Sequence, residues 1–340
     1  TNHNFRPNVI NTSGEISQAL QSKEGKLIST QENGMYFNVE QKLDSAFKIN
    51  PGVRVSAVYT DNIIYAGIEP RVSATYSFSE FQSFKFAYSR MKQYMHLVSS
   101  SSLALPTDLW YPVTKKVKPE TSDQVAIGYT HKIKKINSLF TVESYYKWLQ
   151  GLIEYREGAV LLLNDHYEDE LVTGKGNAYG LEIFLQKTSG KLTGWIGYTI
   201  SWATRQFDAL NKGKSYFAKY DRRHDFSIVG SYEFTKRISF SAVWVFSTGQ
   251  RFTALTGNYV MPNSTLTSVD ILNIYSDKNS IILPPSHRLD INLVLKTKHR
   301  TKWADGEWHI GCYNLYNRAQ PHKVKIVKND DGTYKYQAVG

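Results

Sequence analysis

The stretch FSIVGSYEFTKRISFSAVWVF, Phe226–Phe246, decides the fold. In its second half Ile238, Phe240, Ala242, Trp244 and Phe246 fall on one side of an extended chain, opposed by Ser239, Ser241, Val243 and Val245. Successive strand side chains point to opposite faces, so this segment has one thoroughly apolar face and one small or polar face. The first half reads alike, with Phe226, Ile228, Gly230, Tyr232 and Phe234 against Ser227, Val229, Ser231 and Glu233. The short polar link around Thr235 and Lys236 makes the two a β-hairpin.

The same period of two extends outward in both directions. A hairpin at 178–202 turns through Thr188, Ser189 and Gly190 and carries Leu192, Ile196, Tyr198, Ile200 and Trp202 on one side. Val72, Ala74, Tyr76 and Phe78 oppose Arg71, Ser73, Thr75 and Ser77, and Phe84, Phe86 and Tyr88 follow against Lys85, Ala87 and Ser89. Further strands are expected at 34–43, 49–60, 123–133 and 138–155, with Leu289–Lys296 and Trp308–Tyr316 closing the series. The whole of 1–340 reads as one partial barrel domain with about twelve spanning strands between residues 34 and 320.

The links sort by length. Those near 44–48, 79–83, 134–137, 188–191 and 235–237 are short, whereas 96–122, 156–174, 205–221 and 249–287 are long. Long links at one end and short turns at the other match an outer-membrane barrel, with extracellular loops and periplasmic turns. A soluble β-sandwich alternates its faces too, but its strands are shorter and its loops need not sort by length. The fold class is therefore all-β, an antiparallel transmembrane β-barrel. In lipid the backbone of every spanning strand must find its partner in another strand.

Composition agrees. Among 340 residues aromatics make up 14% and charged residues only 21%, which excludes a disordered chain. The longest apolar runs are five residues, Ala159–Leu163 and Ala242–Phe246, where a spanning helix needs about 20. One cysteine, Cys312, allows no internal disulfide. The net charge of +11 comes with no nucleic-acid module, so no nucleic-acid partner is expected. No G-x-S-x-G, H-E-x-x-H or Walker segment occurs, and the chain reads as no enzyme, with catalytic residues and cofactors none.

The segments YSRMKQYMHLVSSSSLALPTDLWYPVT (88–114) and KPETSDQVAIGY (118–129) carry a more specific likeness. So do 174–207, 219–250, SHRLDINLVL (286–295) and WHIGCYNLYNRAQP (308–321). In this order they resemble TonB-dependent outer-membrane transporters of the Bacteroidetes type, over roughly residues 34–322. The resemblance implies energy-coupled import of a nutrient through a plugged barrel of about 22 strands, of which this chain is expected to form the C-terminal half. It implies as partners an inner-membrane TonB complex acting through regions outside this sequence, an N-terminal plug and the remaining barrel strands. Outer-membrane lipid, a surface lipoprotein and a nutrient of unknown identity complete the expected set. No plug is recognisable in the sequence itself. A passive porin or a structural or adhesion barrel is the alternative.

Candidate substrate or loop contacts lie at the long-loop end: Tyr94, His96, Asp108 and Trp110, then Arg222, Arg223 and His224, and Tyr259 in the longest loop. Rings can cover a ligand while polar groups orient it. Structural roles compete, since Tyr94 and Trp110 suit interface anchors and Asp221–Asp225 suits mutual salt bridges. Candidate lumen charges are Arg54, Arg71, Lys85, Glu143, Lys147, Glu182, Glu233, Asp290 and Lys296. The acidic run Glu154, Glu157, Asp165, Glu168, Asp169 and Glu170 lacks calcium-loop spacing, so the expected metal site is none.

Overall fold

The computed structural model describes residues 2–5, 28–98, 109–156, 159, 167–262, 269–297, 306–321, 323–328 and 334–339. Its main sheet is an antiparallel meander in which each strand pairs with the strands next to it along the path. The strands are β1 (Asn2–Phe5), β2 (Ile28–Asn38), β3 (Phe47–Thr60), β4 (Ile63–Ser79), β5 (Gln82–Gln93), β6 (Glu120–Ile133) and β7 (Ser138–Tyr155). They continue as β8 (Leu171–Lys187), β9 (Leu192–Gln206), β10 (His224–Thr235), β11 (Ile238–Ser247), β12 (Ser286–Lys296) and β13 (Glu307–Cys312).

Two features depart from the sequence reading. β4 is 17 residues long because Asp61 and Asn62, with φ of 44° and 59°, make a tight turn that lets Ile63–Pro70 pair back on β3. Positive φ at both central residues is what a two-residue hairpin of the favoured hand needs. The long connections also hold structure of their own: ribbons pair Met95–Val98 with Leu109–Pro112 and Leu255–Pro262 with Val269–Tyr275.

The burial pattern is inverted relative to a protein folded in water. On β3 and β4 the inward residues Ser56, Thr60 and Glu69 are at most 1% exposed, while Ile64 and Ile68 are 71% and 68% exposed on the other face. Leaving such side chains in water forfeits about 1.5–3 kcal/mol each. The outer face is therefore made for a medium other than water. No helix among the described residues is long and apolar enough to cross a membrane.

Rows of outward side chains along the hydrogen-bonding direction show where that medium ends. One row reads Phe86, Ile127, Ser144, Leu181, Ile200. The next, two residues nearer the long loops, reads Tyr88, Val125, Tyr146, Tyr179, Trp202. Above it come Arg90, Asp123, Trp148, Asn177, Thr204, and then Lys92, Thr121, Gln150, Lys175, Gln206. Each step is about 7 Å along the strand. Aliphatic gives way to aromatic and then to polar over two steps, the succession of an aromatic girdle at a membrane interface. The rings of that girdle touch: Tyr146 and Tyr179 stack at 5.5 Å, and Tyr179 and Trp202 at 5.2 Å.

Candidate substrate mouth

The inner wall is polar and its charges follow the strand register. Arg54 lies opposite Glu69, and Arg71 opposite Ser89. Lys85, Gly128, Glu143, Glu182, Thr199 and Asp225 form one continuous cross-strand row, with Gln124, Lys147 and Ala178 two rows further toward the long loops. Glu233 pairs across to Ser239, Asp290 to Val243, and Lys296 to Glu307. Lys296 Nζ sits 3.5 Å from Glu307, and Arg288 Nε 2.9 Å from Asp290.

At the long-loop end a buried network fixes the 94–117 connection against this wall. Arg54 bridges Glu32 at 3.0 Å and Glu69 at 3.0 Å, and the Ser56 hydroxyl donates to Glu69 at 2.6 Å and contacts the Tyr94 hydroxyl at 2.7 Å. Thr60 donates to the Val113 carbonyl and Tyr65 to the Thr114 carbonyl, at 3.0 and 2.8 Å. Val58, Tyr94 and Val113 fill the space between. Tyr94 is thus a buried anchor. His96 is fully buried as well, with Nδ1 3.1 Å from a Glu120 carboxylate oxygen. Trp110, on the two-stranded ribbon opposite Leu97, remains 51% exposed, and Asp108 lies outside the described residues.

The acidic excursion is braced by cations and a phenol. Arg156 makes two hydrogen bonds to Glu170 at 2.7 and 2.8 Å, Lys116 pairs with Asp169, and Tyr111 donates to Glu168 at 3.0 Å. Burial first, and the Glu168 carboxylate second, push the Tyr111 phenol above its ordinary range, so the hydroxyl stays a donor. Glu157, Asp165 and His166 lie outside the described residues. Among the described residues no three metal-binding side chains gather.

A second hub forms where β7 is bulged at Gly151, whose φ is +73°. The bulge shifts the register between Gln150 and Leu152, so Leu152 and Glu154 pass to the inner side instead of following Trp148 outward. There Glu154 receives the Tyr216 hydroxyl at 2.7 Å and pairs with Lys278 at 2.6 Å, while Arg205 lies 3.7 Å away. Asn279 donates to the Phe217 carbonyl at 2.9 Å. Leu97, Glu154, Arg205, Lys219, Tyr220 and Asn279 line a cavity of about 20 Å³, room for about one water. Loops from three parts of the chain therefore close together over the wall.

The Asp221–Asp225 segment divides by direction. Arg222 reaches Ser247 at 3.2 Å, a residue in the inner row with Asp225. Arg223 stacks 4.6 Å over the outward ring of Trp202 and, with Arg251, binds Asp221. His224 Nδ1 is 2.9 Å from the outward Tyr198 hydroxyl. Of the candidate contacts, Trp110 and Tyr259 (65% exposed) present rings at the surface, joined by Tyr220 at 51%, which the sequence reading did not single out. Sequence reasoning also missed Glu69 and Glu154 as hubs. A lone acid amid Ile63–Pro70 was the available signal for Glu69, whereas the bulge hides Glu154.

Comparison with solved structures places the same wall in outer-membrane receptors. The ferric-catecholate import receptor Fiu of E. coli superposes with a TM-score of 0.59 at 14% identity, over 92% of this chain and 44% of that one. The ferric yersiniabactin uptake receptor FyuA of Yersinia pestis gives 0.59 at 12% identity, over 91% and 44%. The ferripyoverdine receptor of Pseudomonas aeruginosa gives 0.57 at 12%, over 93% and 38%. The chain thus spans less than half the length of these receptors. At such identities the likeness shows the fold. No curated protein matches. The family described as "TonB dependent receptor-like, beta-barrel" matches residues 3–324, and with the inverted wall and the closed cluster of loops this chain belongs to that family of outer-membrane transporters.

Proposed function

We propose that the chain forms part of the wall and mouth of an energy-coupled importer of the outer membrane. The observation that carries this reading is the braced cluster of long loops over a polar inner wall, with short turns at the other end. The loop end faces outward from the cell and the turns face the periplasm. Nutrient is captured on the exposed loop surface, where Trp110, Tyr220 and Tyr259 offer rings. An inner-membrane TonB complex, acting through a plug and the rest of the barrel, supplies the energy for release inward. A surface lipoprotein that hands over nutrient fits the same loop surface. The inner-wall charges, from Arg71 and Lys147 to Glu143 and Glu182, contact the plug or the passing cargo.

The solved receptors named above take up ferric chelates, which makes ferric catecholates the first cargo class to try. The test is uptake by cells carrying the receptor, with and without collapse of the proton gradient. Accumulation that stops on collapse supports import. Accumulation that persists would establish a passive pore instead.

A further inference from the structure

Where the loops meet over the wall, the cavity of about 20 Å³ gathers more positive charge than its one carboxylate can match. Leu97 reaches it from the connection between β5 and β6, Glu154 from beyond the bulge, Arg205 from the end of β9, Lys219 from the stretch ahead of β10, and Asn279 from the connection before β12. Both oxygens of Glu154 are already engaged: Oε2 accepts from Tyr216 at 2.7 Å and Oε1 pairs with Lys278 at 2.6 Å. Its charge is therefore met before Arg205 and Lys219 are counted. Arg205 comes no nearer to Glu154 Oε2 than 3.7 Å, beyond hydrogen-bonding distance, and has no closer carboxylate among the described residues. Lys219 makes no ion pair among the described residues, and its ammonium stands 5.2 Å from the centre of the Tyr220 ring. Leu97 and Ile153 add apolar surface to the lining, which strengthens the pull of the two cations on any charge placed between them.

We propose that this cavity is a binding site for one small inorganic anion of chloride size, held between Arg205 and Lys219. Water fits the same space but leaves two positive charges without a counter-charge, whereas a halide supplies it. A bulkier oxyanion such as sulfate exceeds a space with room for about one water. Arg205 is 35% exposed, which gives the ion a way in from solvent. Because its ligands come from separate connections, a bound anion favours the closed arrangement of the loops by mass action. The site depends on the loop junction alone and not on what the receptor imports.

The test is hydrogen exchange of the intact receptor in mild detergent, read in 216–220 and 277–283 as sodium gluconate is replaced by sodium chloride at constant ionic strength. Protection of both segments is expected to grow to about tenfold once chloride exceeds its dissociation constant about tenfold. Bromide should replace chloride and sulfate should not, and in crystals grown with bromide its anomalous signal should lie between Arg205 and Lys219. Arg205→Gln and Lys219→Met should each remove most of the chloride response, with Lys219→Gln in reserve if the methionine variant does not fold. Lys214→Met, which removes an exposed cation from the same loop, should leave the response intact. Wild-type exchange indifferent to chloride, a response kept in full by the Arg205 and Lys219 variants, or equal protection by sulfate would overturn the site. So would protection spread evenly over β6–β9, the mark of a general salt effect. A receptor that shows the chloride response yet accumulates no nutrient would retire the transport reading and leave this site standing.

Discussion

Glu154 ties two loops and the end of β9 together with one carboxylate, through Tyr216, Lys278 and the nearby Arg205. Removing one member of a buried pair leaves the other uncompensated and costs about 3–5 kcal/mol; the partly exposed Arg205 argues for the lower end. Glu154→Ala should therefore speed hydrogen exchange in 207–217 and 277–283 by about a hundredfold, with the strands unchanged. Unaltered exchange there would show that the loops are held by apolar packing alone. Tyr111 gives a pH-dependent counterpart. Its phenol is raised in the folded state, so its contribution is complete below the unfolded value near 10 and fades as pH climbs above it. Protease resistance of the 95–117 connection should fall above about pH 10 in the wild type. Tyr111→Phe should lack that step, and a step persisting in the variant would assign it to another group. Residues of this kind were unevenly legible in the sequence. The alternation placed Arg54, Glu143 and Asp290 on the inner face, but it could not show that Tyr94 and His96 are buried, because that depends on a connection folding back over the wall.

Hairpins are where sequence and structure agree best. Two-residue periodicity survives because each strand has lipid on one side and a polar interior on the other. β10 and β11 keep the register read from Phe226–Phe246, with Trp244 opposite Ile228 and Leu289, and Ser241 opposite Ser231 and Asn292. An arginine facing lipid near the bilayer midplane costs about 2–4 kcal/mol, and one facing the interior far less. Trp244→Arg should depress the yield of folded, membrane-integrated protein well below that of Ser241→Arg; equal yields would reverse or abolish the assigned faces. Connections were less legible. The ribbon of Met95–Val98 with Leu109–Pro112 joins segments too far apart in sequence for a short hairpin turn to announce the pairing. The bulge at Gly151 likewise leaves a strand-like sequence on either side while exchanging its faces, which is why Glu154 read as part of a solvated acidic run.

At the scale of the molecule, the wall is a meander whose pairings all join path neighbours, while the mouth is held by contacts between distant parts of the chain. Thr114 lies 49 residues from its partner Tyr65, and Tyr216 62 residues from Glu154. Closing long segments before any contact rewards the closure is slow. Assembly is thus expected to have an order: hairpins join edge to edge as they enter the bilayer, and the loops lock afterwards. A refolding time course into detergent or lipid should show strand protection of β6–β9 before protease resistance at 207–217 and 277–283, and simultaneous appearance would refute that order. The bulge at Gly151 then sets a checkpoint in time as well as in space. Until Glu154 has turned inward, the latecomers Lys278 and Tyr216 have nothing to close on, so a wall already sealed against lipid would still stand with its doorway unlatched.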